Sequence, residues 1–189
     1  MEINTDLSVT KKDLKIMIED IQIKSWDELF MRHVYLIAQK SKDKYTKIGA
    51  VLVKNNSIIG EGYNGIPRNV SDSIEERQER PEKYFWFEHA ERNAIYNCAR
   101  VGISTENAVL YTQGVPCADC ARGIINSGIV EIVVHEQFEN DIISNMNQNK
   151  WIDSATRSYM MFKETKIKYR IFSGKLNMKT LVGGKVFEI

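Results

Sequence analysis

The run VPCADCARGIINSG, residues 115–128, decides how this chain is read. It sets Cys117 and Cys120 three residues apart at the start of a helix-forming segment that closes on Gly128. Residues at i and i+3 share a helix face, so the two thiols can turn toward one point. A helix N-terminus carries unpaired N–H groups and positive partial charge, which favour thiolate over thiol. Pro116 limits how the chain enters the turn. Around the segment stand two β-rich runs, NAVLYTQ before it and IVEIVVHE after it. The unit therefore reads strand–helix–strand, with parallel strands and a crossover helix.

Working outward, WFEHAERNAIYNCAR, residues 86–100, gives the preceding helix, expected over 87–100, with His89 at its head. Helices on one face of a parallel unit begin at the same edge of the sheet, so His89 and the two cysteines can meet. Taken alone, each piece has an ordinary reading: a polar histidine, or a C-x-x-C redox pair. Together they supply three ligands, and three protein ligands on zinc leave a fourth position for water, the catalytic rather than the structural arrangement. Glu91 points away from His89 along the helix, yet it can reach that water and carry its proton. Cys98 lies nine residues beyond His89, about 13 Å along a helix axis. It is read as a small buried apolar residue. The histidines His33 and His135 are read as ordinary polar residues.

Composition sets the frame. The 189 residues suit one domain with small additions at its ends. With 43% hydrophobic and 27% charged residues the chain is too apolar for wholesale disorder. A net charge of +1 provides no global field toward nucleic acid or an anionic membrane. No apolar run approaches the ~20 residues that span a bilayer. The N-terminus lacks a secretory pattern, and three cysteines are an odd number for a disulfide framework, so a cytoplasmic location is expected.

The remaining chain reads α/β. VTKKDLKIMIEDIQIK forms a helix in an N-terminal extension, residues 1–24. SWDELFMRHVYLIAQKS is a second helix, with Ser25 and Glu28 at capping-box spacing and Leu29, Phe30, His33, Leu36 and Ile37 on or near one face. Two β-rich runs around KNN make an antiparallel hairpin. Residues 66–82 form a loop with one helical turn near SIEERQER. KWIDSATRSYMMFKET is a helix and KIKYRIF a strand. The main domain covers 25–172, and the tail, 173–189, folds as a small hairpin around Gly183 and Gly184.

The stretches IGAVLVKNNSIIGEGYNGIPR, HAERNAIYNCAR and PCADCARGIINSGI resemble the cytidine and deoxycytidylate deaminase superfamily, most of all its deoxycytidylate (dCMP) branch. The resemblance spans roughly residues 26–171. It implies a three-layer α-β-α fold around a five-stranded mixed sheet, one Zn2+ per chain on His89, Cys117 and Cys120, and hydrolysis of dCMP to dUMP and ammonia. Glu91 would protonate ring N3 and then the departing amine. Asn64, Gly65, Arg68, Arg100, Ala90 and Pro116 would lie toward substrate or a regulatory nucleotide. Asn64 also reads as a simple turn former, and Arg100 and Arg68 as surface ion-pair residues. The aromatic run YFWF reads as core, subunit interface or a ring stacked on the base. Relatives suggest a homo-oligomer, a hexamer, with dCTP as activator, dTTP as inhibitor and Mg2+ accompanying the regulatory nucleotide. No membrane contact is expected, nor nucleic acid. The competing readings are a deaminase of a free nucleoside, dCTP, a modified dCMP or tRNA adenosine, a catalytically silent zinc-stabilised module, and a thioredoxin-like redox protein. The chain departs from the family in lacking the glycine usual after PR, and in having no further cysteines or histidines for a second zinc.

Overall fold

The structure, a computed structural model, describes residues 23–143 and 149–189. The expected N-terminal helix lies outside the described residues. Helix α1 (Trp26–Ala38) leads into β1 (Gly49–Lys54) and β2 (Ser57–Tyr63). After a 3-10 turn (Glu75–Gln78) come α2 (Lys83–Trp86), α3 (Ala90–Val101), β3 (Val109–Thr112), α4 (Ala118–Asn126) and β4 (Glu131–His135). A π-helical turn (Phe138–Ile143), α5 (Asn149–Glu164), β5 (Lys168–Phe172) and the strands β6 (Lys179–Val182) and β7 (Lys185–Glu188) complete the chain.

The main sheet has five strands in the order β2-β1-β3-β4-β5. β1 is antiparallel to β2 and β3, whereas β3, β4 and β5 run parallel. This is the mixed α/β sheet expected. The β1–β2 loop is Asn55-Asn56, both in the left-handed region at φ 51° and 56°, as a tight two-residue hairpin requires.

Period-two alternation sorts the core onto two faces. Ala50, Leu52, Leu110, Ile132 and Val134 point to one side, where α3, α4 and α5 pack through Ala94, Cys98, Ile124 and Phe162. Val51, Val53, Tyr111 and Val133 point to the other, against α1. The second layer is completed by the β6–β7 hairpin, whose neighbouring Leu176, with Val182 and Ile189, is buried in that same core. Gly183 and Gly184 make its turn with positive φ.

Three expectations need correction. The buried stripe of α1 is Phe30, Met31, Val34, Tyr35 and Ala38, and Leu36 is exposed. The helix packs on β1 so closely that a Cβ on Gly49 would sit 2.1 Å from Val34 O and 3.1 Å from Ala38 N, which turns Val34 and Ala38 inward. The capping box is half formed: Ser25 Oγ accepts from Glu28 N, but Glu28 accepts from Lys24 N rather than from Ser25. The helix expected over 87–100 begins at Ala90, because residue 88 is in extended pairing with Gly65 through two backbone hydrogen bonds of 2.8 and 3.0 Å. Across the sheet, Asp27 of α1 accepts from Tyr111 OH at 2.6 Å and from both terminal nitrogens of Arg170, which ties the helix start to β3 and β5. No helix among the described residues is long and apolar enough to cross a membrane.

Candidate active site

Two helix starts make the site. His89 is the N-cap of α3 and Cys117 the N-cap of α4, both with extended backbone, and neither side chain caps its own helix. Both turn toward each other instead. His89 Nδ1 lies 3.4 Å from Cys117 Sγ and 3.5 Å from Cys120 Sγ, and all three donor atoms fall within 4.8 Å of one another. A tetrahedral zinc with bonds of about 2.3 Å to sulfur and about 2.0 Å to nitrogen separates those ligand atoms by roughly 3.5 Å. One imidazole and two thiolates also form a donor set suited to zinc. The residues present therefore fit a zinc ion by both spacing and chemistry.

The helix ends that these ligands leave uncapped are served from elsewhere. The Glu88 carboxylate accepts from His89 N at 2.9 Å, and Ser154 Oγ of α5 accepts from Ala118 N at 2.9 Å. Arg92, which the sequence reading passed over, donates through Nε to Glu88 at 2.6 Å and sets Nη1 3.6 Å from Cys120 Sγ. Its position three residues past His89 on a helix was the available signal.

Glu91 is 5% exposed, at the base of α3 beside the ligand cluster. Burial pushes its carboxyl up, against the pull of the His89 charge. Hydrogen bonding from Cys120 holds the Cys117 thiol down at about 3 despite its burial. That same bond, with burial, drives Cys120 up. Burial alone would lower His89, but the Cys117 hydrogen bond and the Glu91 charge outweigh it and hold the imidazole at about 9. The shared hydrogen bond thus favours the thiolate on Cys117 over Cys120, and zinc binding would release the protons left on the ligands, with a buried carboxyl at their side.

The other expected residues scatter. Ala90 and Pro116 are buried next to the ligands. Asn64 is also buried, but its amide is engaged within the chain: Oδ1 accepts from Ile48 N, and Nδ2 donates to Asp43 Oδ2 and to Thr46 O. Gly65 lies against Glu88. Arg68 donates to Asn97 Oδ1 at 2.8 Å and, with Gly65, Lys40, Lys42, Phe87 and Asn93, lines a cavity of about 240 Å3 that includes none of the ligand residues. Arg100 is exposed near the far end of α3, eleven residues from His89, or about 16 Å along the axis. The structure does not bring it to the cluster. In the aromatic run, Tyr84 and Phe85 are exposed, and Trp86 is covered by the Arg77 guanidinium at 3.9 Å. His33 pairs with Glu61 at 2.9 Å, and His135 is a fully buried, hydrogen-bonded core residue. Cys98 is buried against β2, as expected.

Comparison with known proteins gives a consistent result. The model of the cytidine and deoxycytidylate deaminase zinc-binding region matches residues 24–136. The human deoxycytidylate deaminase is 33% identical over 156 residues, covering 79% of this chain and 81% of that protein. The mouse deoxycytidylate deaminase is 32% identical over 179 residues, with 90% and 88% covered. Among solved structures, the dCMP deaminase of cyanophage S-TIM5 in complex with dCMP and dUMP is similar in fold, with a TM-score of 0.61 at 24% identity, covering 80% of this chain and all (100%) of that one. The chain belongs to the cytidine and deoxycytidylate deaminase family.

Proposed function

We propose that this protein is a zinc-dependent hydrolase that converts dCMP to dUMP and ammonia. The observation that carries the reading is the meeting of His89, Cys117 and Cys120 at two helix starts with the buried Glu91 beside them. The deoxycytidylate deaminases among its relatives support dCMP as the substrate. His89, Cys117 and Cys120 hold the zinc, which when bound supplies a Lewis acid that activates water at neutral pH. Glu91 takes a proton from the attacking water and delivers it to cytosine N3 as the water oxygen bonds to C4; it then passes the second proton of that water to the amine as the C4–N bond breaks and ammonia leaves. Its burial suits it to carrying protons, since a desolvated carboxyl is readily protonated and readily discharged. Ala90 and Pro116 wall the base pocket next to the ligands.

Under the same reading the cavity over Gly65 and Arg68, with Lys40 and Lys42, receives the phosphates of a regulatory nucleotide such as dCTP or dTTP, and Asn64 acts there as scaffold. The product dUMP feeds thymidylate synthesis in the cytoplasm, in a homo-oligomer. Ammonia release from dCMP, deoxycytidine, dCTP and a tRNA hairpin tests the substrate. dCMP should be preferred, and preference for any other member of the panel contradicts the reading.

A further inference from the structure

The segment between β4 and α5 carries a carboxylate that the chemistry above does not use. Glu139 belongs to the π-helical turn Phe138–Ile143, a rare form of helix that is frequent at functional sites. Its Oε1 accepts the backbone N–H of Val115, two residues before Cys117. Three residues on from Val115, Ala118 N donates to Ser154 Oγ. Between them Pro116 has no N–H to offer. Glu139 of the π-helical turn and Ser154 of α5 therefore hold the cysteine loop by the amide on either side of its Pro116–Cys117 step.

Even half-burying a carboxylate for this task is costly when a neutral acceptor would serve. No cation among the described residues pairs with Glu139, and burial pushes its carboxyl up to about 7. The titratable groups facing it are Tyr169 of β5, whose hydroxyl it helps to push up, and behind that Tyr159 of α5, stacked edge-on against Tyr169. An ionised acceptor makes the stronger hydrogen bond, so the grip on Val115 tightens as Glu139 loses its proton.

We propose that Glu139 is a positioning residue for the metal centre: its carboxylate anchors Val115 and thereby fixes where Cys117 presents its sulfur. The proposal rests on the zinc reading of the site but not on the substrate. Partners that orient metal ligands typically change metal affinity or activity by about 10–100-fold when removed.

The test uses the full chain loaded with zinc, with release to a chelator followed from pH 6 to 8. Zinc release needs no substrate, so failure of the dCMP reading leaves it interpretable, and a wild type that holds no zinc overturns that reading instead. In Glu139→Leu, zinc should leave about tenfold faster or more, and kcat for dCMP should fall with KM little changed. Glu139→Gln, which keeps an oxygen acceptor, should recover most of both losses. The wild-type release rate should bend near pH 7 and the Gln variant should not. Wild-type release from the Leu variant, or a Gln variant as impaired as Leu, overturns the proposal. Should Glu139→Leu not fold, the Gln variant decides alone: a release profile that bends as in the wild type overturns it.

Discussion

Arg92 joins two parts of the site, with Nε 2.6 Å from the Glu88 carboxylate and Nη1 3.6 Å from Cys120 Sγ. Glu88 in turn accepts the N–H of His89. One guanidinium thus braces two of the three ligand residues and places positive charge against the Cys120 sulfur. Arg92→Leu should weaken zinc binding by about 10–100-fold, measured by competition with a chelator. An unchanged affinity would mean that the contact is packing only.

Glu91 separates catalysis from metal binding. Glu91→Gln keeps the shape of the side chain but cannot carry a proton. Turnover of dCMP should fall by at least about 10^2–10^4, with zinc stoichiometry unchanged in elemental analysis. A variant that loses zinc together with activity would place Glu91 among the structural supports of the site.

His135 is buried between β4 and the opposite layer, with Nε2 donating to Gly174 O and Nδ1 accepting from Tyr35 OH at 2.8 Å. Tyr35→Phe leaves that nitrogen without its donor and should cost about 1–3 kcal/mol in denaturant unfolding. Burial holds His135 below its ordinary value of 6.5. Its contribution to stability is therefore complete above the unfolded value and is lost as pH falls from there through the lower folded value. Glu139, raised to about 7 from 4.5, acts in the opposite sense, adding stability as pH falls through that window. In zinc-loaded protein, where His89 does not titrate freely, Glu139→Gln should steepen the acid loss of stability between pH 7 and 5. A shallower profile in that variant would reverse the assigned sign.

Gly60 and Gly62 of β2 let α3 approach the sheet. A Cβ on Gly62 would lie 2.4 Å from both Ala90 O and Ala94 N, so backbone must move and His89 with it. On Gly60 it would lie 2.3 Å from the Cys98 sulfur, a side chain that can be removed. Gly60→Ala should destabilise by about 1–3 kcal/mol and be partly rescued by Cys98→Ala, whereas Gly62→Ala should not be rescued. Thermal unfolding of the single and double variants checks this. Equal rescue at both positions would contradict the packing described.

The meeting of His89, Cys117 and Cys120 was legible because it depends on local rules: i, i+3 spacing, helix starts at one sheet edge, and the β–α–β alternation. The hairpin was legible from KNN for the same reason. What was hidden depends on tertiary geometry. Helical periodicity assigned Leu36 inward, but the close approach of α1 to Gly49 rotated the stripe to Val34 and Ala38. Asn64 read as a contact or a turn, and the structure engages its amide in a buried network with Asp43 and Thr46. Arg92 and Glu139 act through partners 28 and 24 residues away, pairings that no local pattern encodes.

The central claim is a zinc ion held by His89, Cys117 and Cys120 in the service of deamination. It is tested most directly by metal analysis of the purified protein alongside ammonia release from dCMP, in the wild type and in Cys117→Ser. The account predicts one zinc per chain and turnover in the wild type, with both lost in the variant. Metal-free wild-type protein with Cys117 and Cys120 joined as a disulfide, or zinc-loaded protein that leaves dCMP intact, would contradict it.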